Sequence, residues 1–290
     1  MRCFQLVKQS HDANGNVISR TDWNGVKTDY TYDVARGLET KRIEAVGTAD
    51  ARTVTTEWFP TMAFEKTVAE PKRVTSYERD ANGRVLTQSV QATTDLTGNA
   101  GFAATKVGSV RKSVFTYNEL GQVLTSKGPR TDIDDTVAYA YDTQGNLETV
   151  TNALGHVTRF TDYDAHGRFR RMTAPNNVVT IVDYYPRGWV RSRTVSAQGI
   201  SRTTSYEYDG VGQLTKVVLP DNSTMNYLYD NVHRLTGIYD SLGNTVHYTL
   251  DPMGNRTKEE VKDSTGTLTL QVSREFDALN RLKLQTGGAQ

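Results

Sequence analysis

The sequence predicts an all-β protein: repeated antiparallel β-hairpins, one about every 22 residues, joined into a curved or spiralling sheet. Three observations carry the prediction. Turn signals recur at near-constant spacing, two in each period. Tyrosines stand two apart just before one of those turns, so their side chains share one face of a strand. The composition is that of strands: 15 Tyr, 23 Gly, Thr and Val throughout, and no long Ala/Leu/Glu/Lys stretch. Apolar residues make up 37% of the chain, below the roughly 45–50% of ordinary globular domains. A thick helical layer is not expected.

Along the chain, the first turns fall at Gly15, Asn24-Gly25 and Gly37, with Tyr30 and Tyr32 on the strand between them. Residues 44–75 carry Trp58, Phe59, Pro60 and Pro71 and break the spacing, so an irregular excursion is expected there. Gly83 resumes the pattern. Residues 91–109, QATTDLTGNAGFAATKVGS, are small and polar and read as a long loop. From 115 to 282 the repeat is most regular, with turns at Gly121, Gly145, Gly167, Gly188, Gly212, His233, Gly254 and Asn280. Mid-repeat turns fall between them at Leu154-Gly155, Asn176-Asn177, Gln198-Gly199, Asp221-Asn222 and Leu242-Gly243. His233 and Asn280 stand in the glycine slot because both tolerate a positive φ better than most residues. The whole of 1–290 reads as one hairpin array.

Each turn opens with YD or a close variant. The aspartates at 33, 142, 164, 209, 230, 251 and 277 sit where a side-chain oxygen can accept from the amide two residues on. Asp33 with Gly37, Asp142 with Gly145, Asp164 with Gly167, Asp209 with Gly212 and Asp251 with Gly254 are therefore read as structural turn pairs. The tyrosine pairs Tyr139/Tyr141, Tyr206/Tyr208 and Tyr227/Tyr229 are expected to form a binding face. If neighbouring hairpins pair, these rings stack across the sheet, each cross-strand pair contributing roughly 0.2–1 kcal/mol.

Several chemistries are excluded. Formal charge is +1, so no net field recruits nucleic acid. A single cysteine, Cys3, rules out an internal disulfide and a Cys-based zinc site. The five histidines have no metal-ligand spacing. Asp12-Ala-Asn14-Gly-Asn16 opens like a calcium loop, but its Gly is at position 4 and Trp23 stands where the bidentate Glu belongs. The carboxylates of Asp132, Asp134 and Asp135 could hold a hard cation, though a solvated loop accounts for them. No nucleophile elbow, P-loop or dinucleotide fingerprint occurs. No catalytic residue, metal or cofactor is assigned. No apolar run is long enough to span a membrane, and the first residues do not read as a secretory signal. Arg168, Arg170, Arg171, Arg187, Arg191 and Arg193 make a locally basic zone suited to an acidic partner or anionic glycan.

The recurring Y-D-x-x-G-[NRQ]-[LV] resembles the YD-repeat, or Rhs (rearrangement hot spot), family. YDTQGNLETVTNALGHVTRFTDYDAHGRF, Tyr141 to Phe169, follows the pattern almost throughout. TTEWFPTMAFEKTVAEPKRVTSYERDANGRV, Thr55 to Val85, is similar to a segment of large bacterial Rhs proteins. The resemblance implies a ribbon of hairpins spiralling into a shell. In bacterial members that shell encloses a C-terminal toxin; in animal teneurins a similar shell belongs to an adhesion protein. The resemblance also brings a self-cleaving aspartate motif, P-x-x-x-x-D-P-x-G. Asp251-Pro-Met-Gly254 matches only its end, since position 246 is Val, and it lies in phase as an ordinary turn.

The expected function is structural: a segment of an Rhs scaffold that encloses and delivers a toxin cargo, without turnover of its own. The alternative is a cell-surface module binding carbohydrate or protein. The expected partners are the cargo or the remaining repeats of a larger chain, and a second copy through raw edge strands. The chain is expected to be bacterial, made in the cytoplasm, and exported or displayed as part of a larger protein.

Overall fold

The computed structural model describes residues 8–22, 24–277 and 280–289; Cys3 and Trp23 lie outside them. The protein is all-β, and the one helical piece among the described residues is a single 3-10 turn at Gly101–Ala103. Two compact units are distinguished: Met1–Tyr141 with Thr149–His156, and Asp142–Glu148 with Val157–Gln290.

The first unit begins with β1 (Lys8–His11), β2 (Val17–Thr21), β3 (Lys27–Asp33) and β4 (Leu38–Glu44). β5 (Arg52–Trp58), β6 (Glu65–Glu70), β7 (Arg73–Arg79) and β8 (Val85–Thr93) follow. Then come β9 (Lys106–Tyr117), β10 (Val123–Lys127) and β11 (Val137–Tyr141). Each of these strands pairs antiparallel with the next in sequence. β12 (Leu147–Thr151) runs across the division between the units.

The second unit holds β13 (Val157–Tyr163), β14 (Phe169–Thr173), β15 (Val179–Tyr184) and β16 (Val190–Ala197). β17 (Ile200–Tyr208), β18 (Leu214–Val218), β19 (Thr224–Tyr229) and β20 (Leu235–Asp240) come next. β21 (Thr245–Leu250), β22 (Arg256–Lys262), β23 (Leu268–Phe276) and β24 (Leu282–Ala289) end it. Here too every strand from β13 on pairs antiparallel with its successor.

One irregularity recurs. The register shifts just before Tyr32, Trp58, Arg79, Tyr184, Tyr208, Tyr229, Leu250 and Phe276, always one residue ahead of a turn. The outgoing strand carries the extra residue, a β-bulge that sharpens the local twist. Thr40, Thr236 and Thr257 are such extra residues. Their hydroxyls donate to the carbonyls of Thr31, Leu228 and Thr249 at 3.1–3.2 Å. A threonine there satisfies an acceptor that the interrupted ladder leaves over.

The turn at Asp142 is a three-residue loop, a form that recurs at Asp164, Asp209, Asp230 and Asp251. Asp142 N donates to Asn146 O at 2.9 Å and Gly145 N to Asp142 O at 3.0 Å. That pattern needs a left-handed residue in third place, filled by Gly145 at φ 85°, His233 at 67° and Asn280 at 61°.

The segment 44–75, expected as an excursion, instead contains β5 and β6 in regular pairing, closed by the two-residue turn Pro71-Lys72. Trp58 takes the place a tyrosine holds elsewhere, and its indole Nε1 donates to Glu39 O at 2.7 Å. The repeat is kept with a different aromatic donor, which a search for YD passes over. In 91–109 the strands β8 and β9 extend into both ends, and the loop proper is 94–105. This loop is pinned to the strands beside it. Thr53 N donates to Thr97 O at 2.7 Å, and Thr53 Oγ1 to Asn99 Oδ1 at 2.6 Å. Lys72 N donates to Asp95 O at 2.6 Å. The Asp95 carboxylate gathers the amides of Thr97, Gly98 and Ala100. Under the loop Thr53 and Ala69 are each 1% exposed, the most deeply buried side chains among the described residues.

Candidate functional site

The turn aspartates do one job in two parts. Asp142 Oδ1 accepts from the amides of Gln144 and Asn146, and its Oδ2 from the Asn146 side chain at 2.9 Å. Asp251 repeats this with Met253 and Asn255. Asp164 does so with His166 and Arg168, the guanidinium lying 2.6 Å from the carboxylate. Asp209 takes the amides of Val211 and Gln213, and Asp33 that of Ala35. Asp230 closes on Arg234, and Asp277 on Arg281. Leu38 follows Gly37, and Asp33 has no side-chain partner among the contacts of that turn. At Asp142, Asp164, Asp209, Asp230, Asp251 and Asp277 the Asn, Arg or Gln four residues on is thus the partner of the Asp. The motif shows that residue plainly; reasoning on the Asp alone missed its role.

At Asp142, Asp164, Asp209, Asp230 and Asp251 the carboxyl pKa is lowered. The Asn146 side chain, opposed by desolvation, lowers the Asp142 pKa, and Asn255 does the same for Asp251. The Arg168 guanidinium brings Asp164 down to about 2. Asp12 is engaged likewise by Asn14 and Asn16, so the segment that opens like a calcium loop is another turn. Asp132 is tied to Arg130, and Asp134 to Lys127 and Thr136.

Six of the tyrosines that end a strand entering a turn link one hairpin to the one before. Tyr32 donates to Val17 O, Tyr117 to Val85 O and Tyr141 to Val123 O, at 2.8–3.0 Å. Tyr163 reaches Leu147 O, Tyr184 Phe169 O and Tyr229 Leu214 O, at 2.6–3.2 Å. Each acceptor is the first residue of an outgoing strand. In β18, for instance, pairing with β19 covers Lys216 to Val218 and stops short of Leu214. The phenol reaches the carbonyl where the ladder has splayed apart.

The six tyrosines of the expected face lie on the better covered side of their strands, but they do not form a ring stack. Tyr139, Tyr141, Tyr206, Tyr208, Tyr227 and Tyr229 are all half-buried, while Ala140, Glu207 and Leu228 between them are exposed. Among the described residues three ring pairs lie in contact, Phe160–Phe169, Tyr185–Tyr208 and Trp189–Tyr208, and Tyr208 alone of the six takes part. The bulges and hydroxyl bonds turn the motif rings away from face-to-face alignment. Tyr139, Tyr206 and Tyr227 donate no hydrogen bond to any described residue. Their cross-strand neighbours are mostly apolar: Val217 lies opposite Tyr206 and Ile238 opposite Tyr227.

On the same face of the first unit lies a cavity of about 500 Å³ lined by Arg42, Trp58, Glu70, Arg73 and Tyr77 among others. Its charges are matched internally: Arg42 with Glu39 at 3.0 Å and Glu44 at 2.8 Å, Arg73 with Glu70 at 2.7 Å. It presents no unpaired cation.

A hairpin array with a recurrent Asp turn and a tyrosine tie can be compared with known proteins. Residues 60–258, more than half of the sequence, match the family model described as the teneurin YD-shell. The chain belongs to the teneurin YD-shell family. Residues 11–49 of this YD-shell chain also match the RHS repeat. No curated protein matches it. Among solved structures it is similar to the TcdB2-TccC3 crystal structure, with a TM-score of 0.77 at 17% identity over 94% of this chain and 16% of that one. The Tc holotoxin pore of Photorhabdus luminescens gives a TM-score of 0.73 at 16% identity, over 96% of this chain and 18% of that one. The YD-shell chain thus spans under a fifth of the length of these structures, and the likeness is one of fold. No helix among the described residues is long and apolar enough to cross a membrane.

Proposed function

We propose that this YD-shell chain is a segment of an encapsulating scaffold, and that its tyrosine face meets a cargo polypeptide carried by the same larger protein. The observation that carries this is the chemistry of that face. Half-buried tyrosines with uncommitted hydroxyls stand among valines and isoleucines, on the better covered side of the strands. Loosely folded cargo offers scattered apolar and polar groups together, and a tyrosine meets both. The turn aspartates are spent on the chain's own amides, which supports a role without turnover. Delivery outside the producing cell belongs to the same reading, by the likeness to Tc toxin structures.

The test places a photo-crosslinking amino acid at Tyr206 or Tyr227 in the native gene product. Crosslinks to a segment outside the repeats are expected. Crosslinks confined to the repeats themselves, from both positions, would overturn the reading.

A further inference from the structure

The arginines that crowd the sequence between 168 and 193 are sorted by the ladder register. Arg168 closes its own turn on Asp164, and Arg187 donates to Gly210 O at 2.7 Å. Arg171 stands opposite Ile181, on the face away from the tyrosines. Arg170 and Arg193 lie on the tyrosine face, and there they meet Arg202, which the sequence zone left out. The register shows this directly. Met172, Thr180, Val195 and Arg202 stand opposite one another in turn across β14, β15, β16 and β17. Side chains two apart on a strand share a face. Arg170 therefore shares the face of Met172, and Arg193 that of Val195. Tyr206, two beyond Thr204, shares the face of Arg202.

This patch has a closed floor and a charged top. Thr180 and Val182 are buried, with Val182 directly opposite Arg193, while Arg170, Arg193 and Arg202 are exposed. Arg191 adjoins them at the bulge beside Tyr184. Among the described residues none of these four arginines has a carboxylate within ion-pair distance. The acids of these strands lie elsewhere. Asp183 and Glu207 are on the opposite face, across from Ser192 and Lys216. Asp162 of β13, beside Arg170 in the register, forms no ion pair. Arginines on this face are answered at other places: Arg42 by Glu44 at 2.8 Å, Arg274 by Glu259 at 3.3 Å. Arg193 and Arg202 are diagonal neighbours, about 7–8 Å apart across a ladder. Like charges this close repel each other until an anion comes between them.

We propose that this patch binds an acidic polypeptide segment in extended conformation, with apolar residues among its carboxylates. Alternate side chains of an extended chain lie about 6.6 Å apart, close to the separation of Arg193 and Arg202. A guanidinium takes a carboxylate in two parallel hydrogen bonds. Met172 and Val195, half-buried beside the arginines, offer apolar contact to the residues between. Four strands span about 14 Å, the reach of four or five extended residues. Nucleic acid fits less well, because the formal charge is +1 and the cations end after four strands. The segment's origin, though not its binding, rests on the shell reading: in a shell it belongs to the cargo.

The test is fluorescence anisotropy of labelled ten-residue peptides titrated with the 290-residue chain. A peptide of alternating Glu and Val is expected to bind saturably, at least tenfold tighter than its Lys/Val counterpart or a thymidine decanucleotide. A Glu/Ser peptide should bind severalfold more weakly than Glu/Val. R193Q with R202Q should weaken Glu/Val binding at least tenfold, and R170Q alone severalfold. R171Q, on the opposite face, should leave it within twofold, with the strand circular dichroism unchanged in all. No binding, equal affinity for the decanucleotide, wild-type affinity in the double variant, or an equal loss in R171Q would each overturn the proposal. Crosslinks from Tyr206 or Tyr227 to a segment outside the repeats, without peptide binding, would overturn this proposal and leave the cargo reading standing. Peptide binding without such crosslinks would do the reverse.

Discussion

The hydroxyl of Tyr163 donates to the main-chain carbonyl of Leu147 at 2.6 Å. The tyrosine ends the strand entering one turn; the leucine begins the strand leaving the turn before. The same relationship joins Tyr229 to Leu214 and Tyr141 to Val123, each at 2.9 Å. The residue that names the motif is therefore a tie between hairpins, and the stability of the array should depend on its oxygen more than on its ring.

Tyr141→Phe removes that oxygen and leaves Val123 O without its partner. A loss of about 0.5–1.5 kcal/mol is expected, the ordinary net value of such a bond. Tyr139→Phe, two residues away and without a hydroxyl bond to a described residue, should be near neutral. Urea denaturation of the two variants side by side checks the difference. Equal losses would mean that ring packing dominates.

Gly98 and Gly199 both adopt φ 80°. A Cβ at Gly199 meets nothing within 4 Å, so Gly199→Ala should cost only the left-handed backbone, roughly 1–2 kcal/mol. At Gly98 the added carbon would lie 2.0 Å from Thr53 O. Gly98→Ala should cost more and release the loop 94–105 from β5. Limited proteolysis should then cut within that loop in Gly98→Ala and not in Gly199→Ala.

Acid should loosen the turns in a defined range. Asp164 falls from 3.8 to about 2 on folding, chiefly through Arg168. A depressed carboxyl stabilises the fold above its unfolded pKa, and the effect fades as pH drops from about 4 toward 2. Arg168→Gln should raise the Asp164 titration midpoint toward 3.8, followed by carboxyl carbon NMR. An unchanged midpoint would assign the shift to the backbone amides instead.

Alkali should act on the ties. Burial, before any neighbouring charge, pushes the tied phenols of Tyr32, Tyr141, Tyr163 and Tyr229 above 10.0. A raised folded pKa gives stability that is complete below the unfolded value and lost as pH climbs through the folded one. Thermal stability should hold until about pH 10 and fall beyond it. Phenolate absorbance should show a late-titrating group of tyrosines that disappears in urea.

Much of the fold was legible because the repeat writes its geometry in residues with few alternatives. A Gly, Asn or His every 22 residues or so marks a left-handed backbone, and tyrosines two apart mark one strand face. The turn aspartates were legible for the same reason. What stayed hidden lies between repeats. Nothing in YD tells which carbonyl the phenol will reach, because that depends on where the neighbouring ladder ends. Trp58 hid a regular hairpin by replacing Tyr with another N–H or O–H donor. The loop 94–105 looked merely polar, whereas its small residues fit it against Thr53 and Ala69.

The six ties from the tyrosines that end a strand all run backward, from a donor later in the chain to an acceptor already behind it. For its tyrosine tie, a hairpin leaving the ribosome finds the acceptor already made. Assembly can then proceed like a zip drawn from the N-terminal end, each tooth seating on the last. Hairpins could be gained or lost over evolution in whole steps, with only the join to be remade.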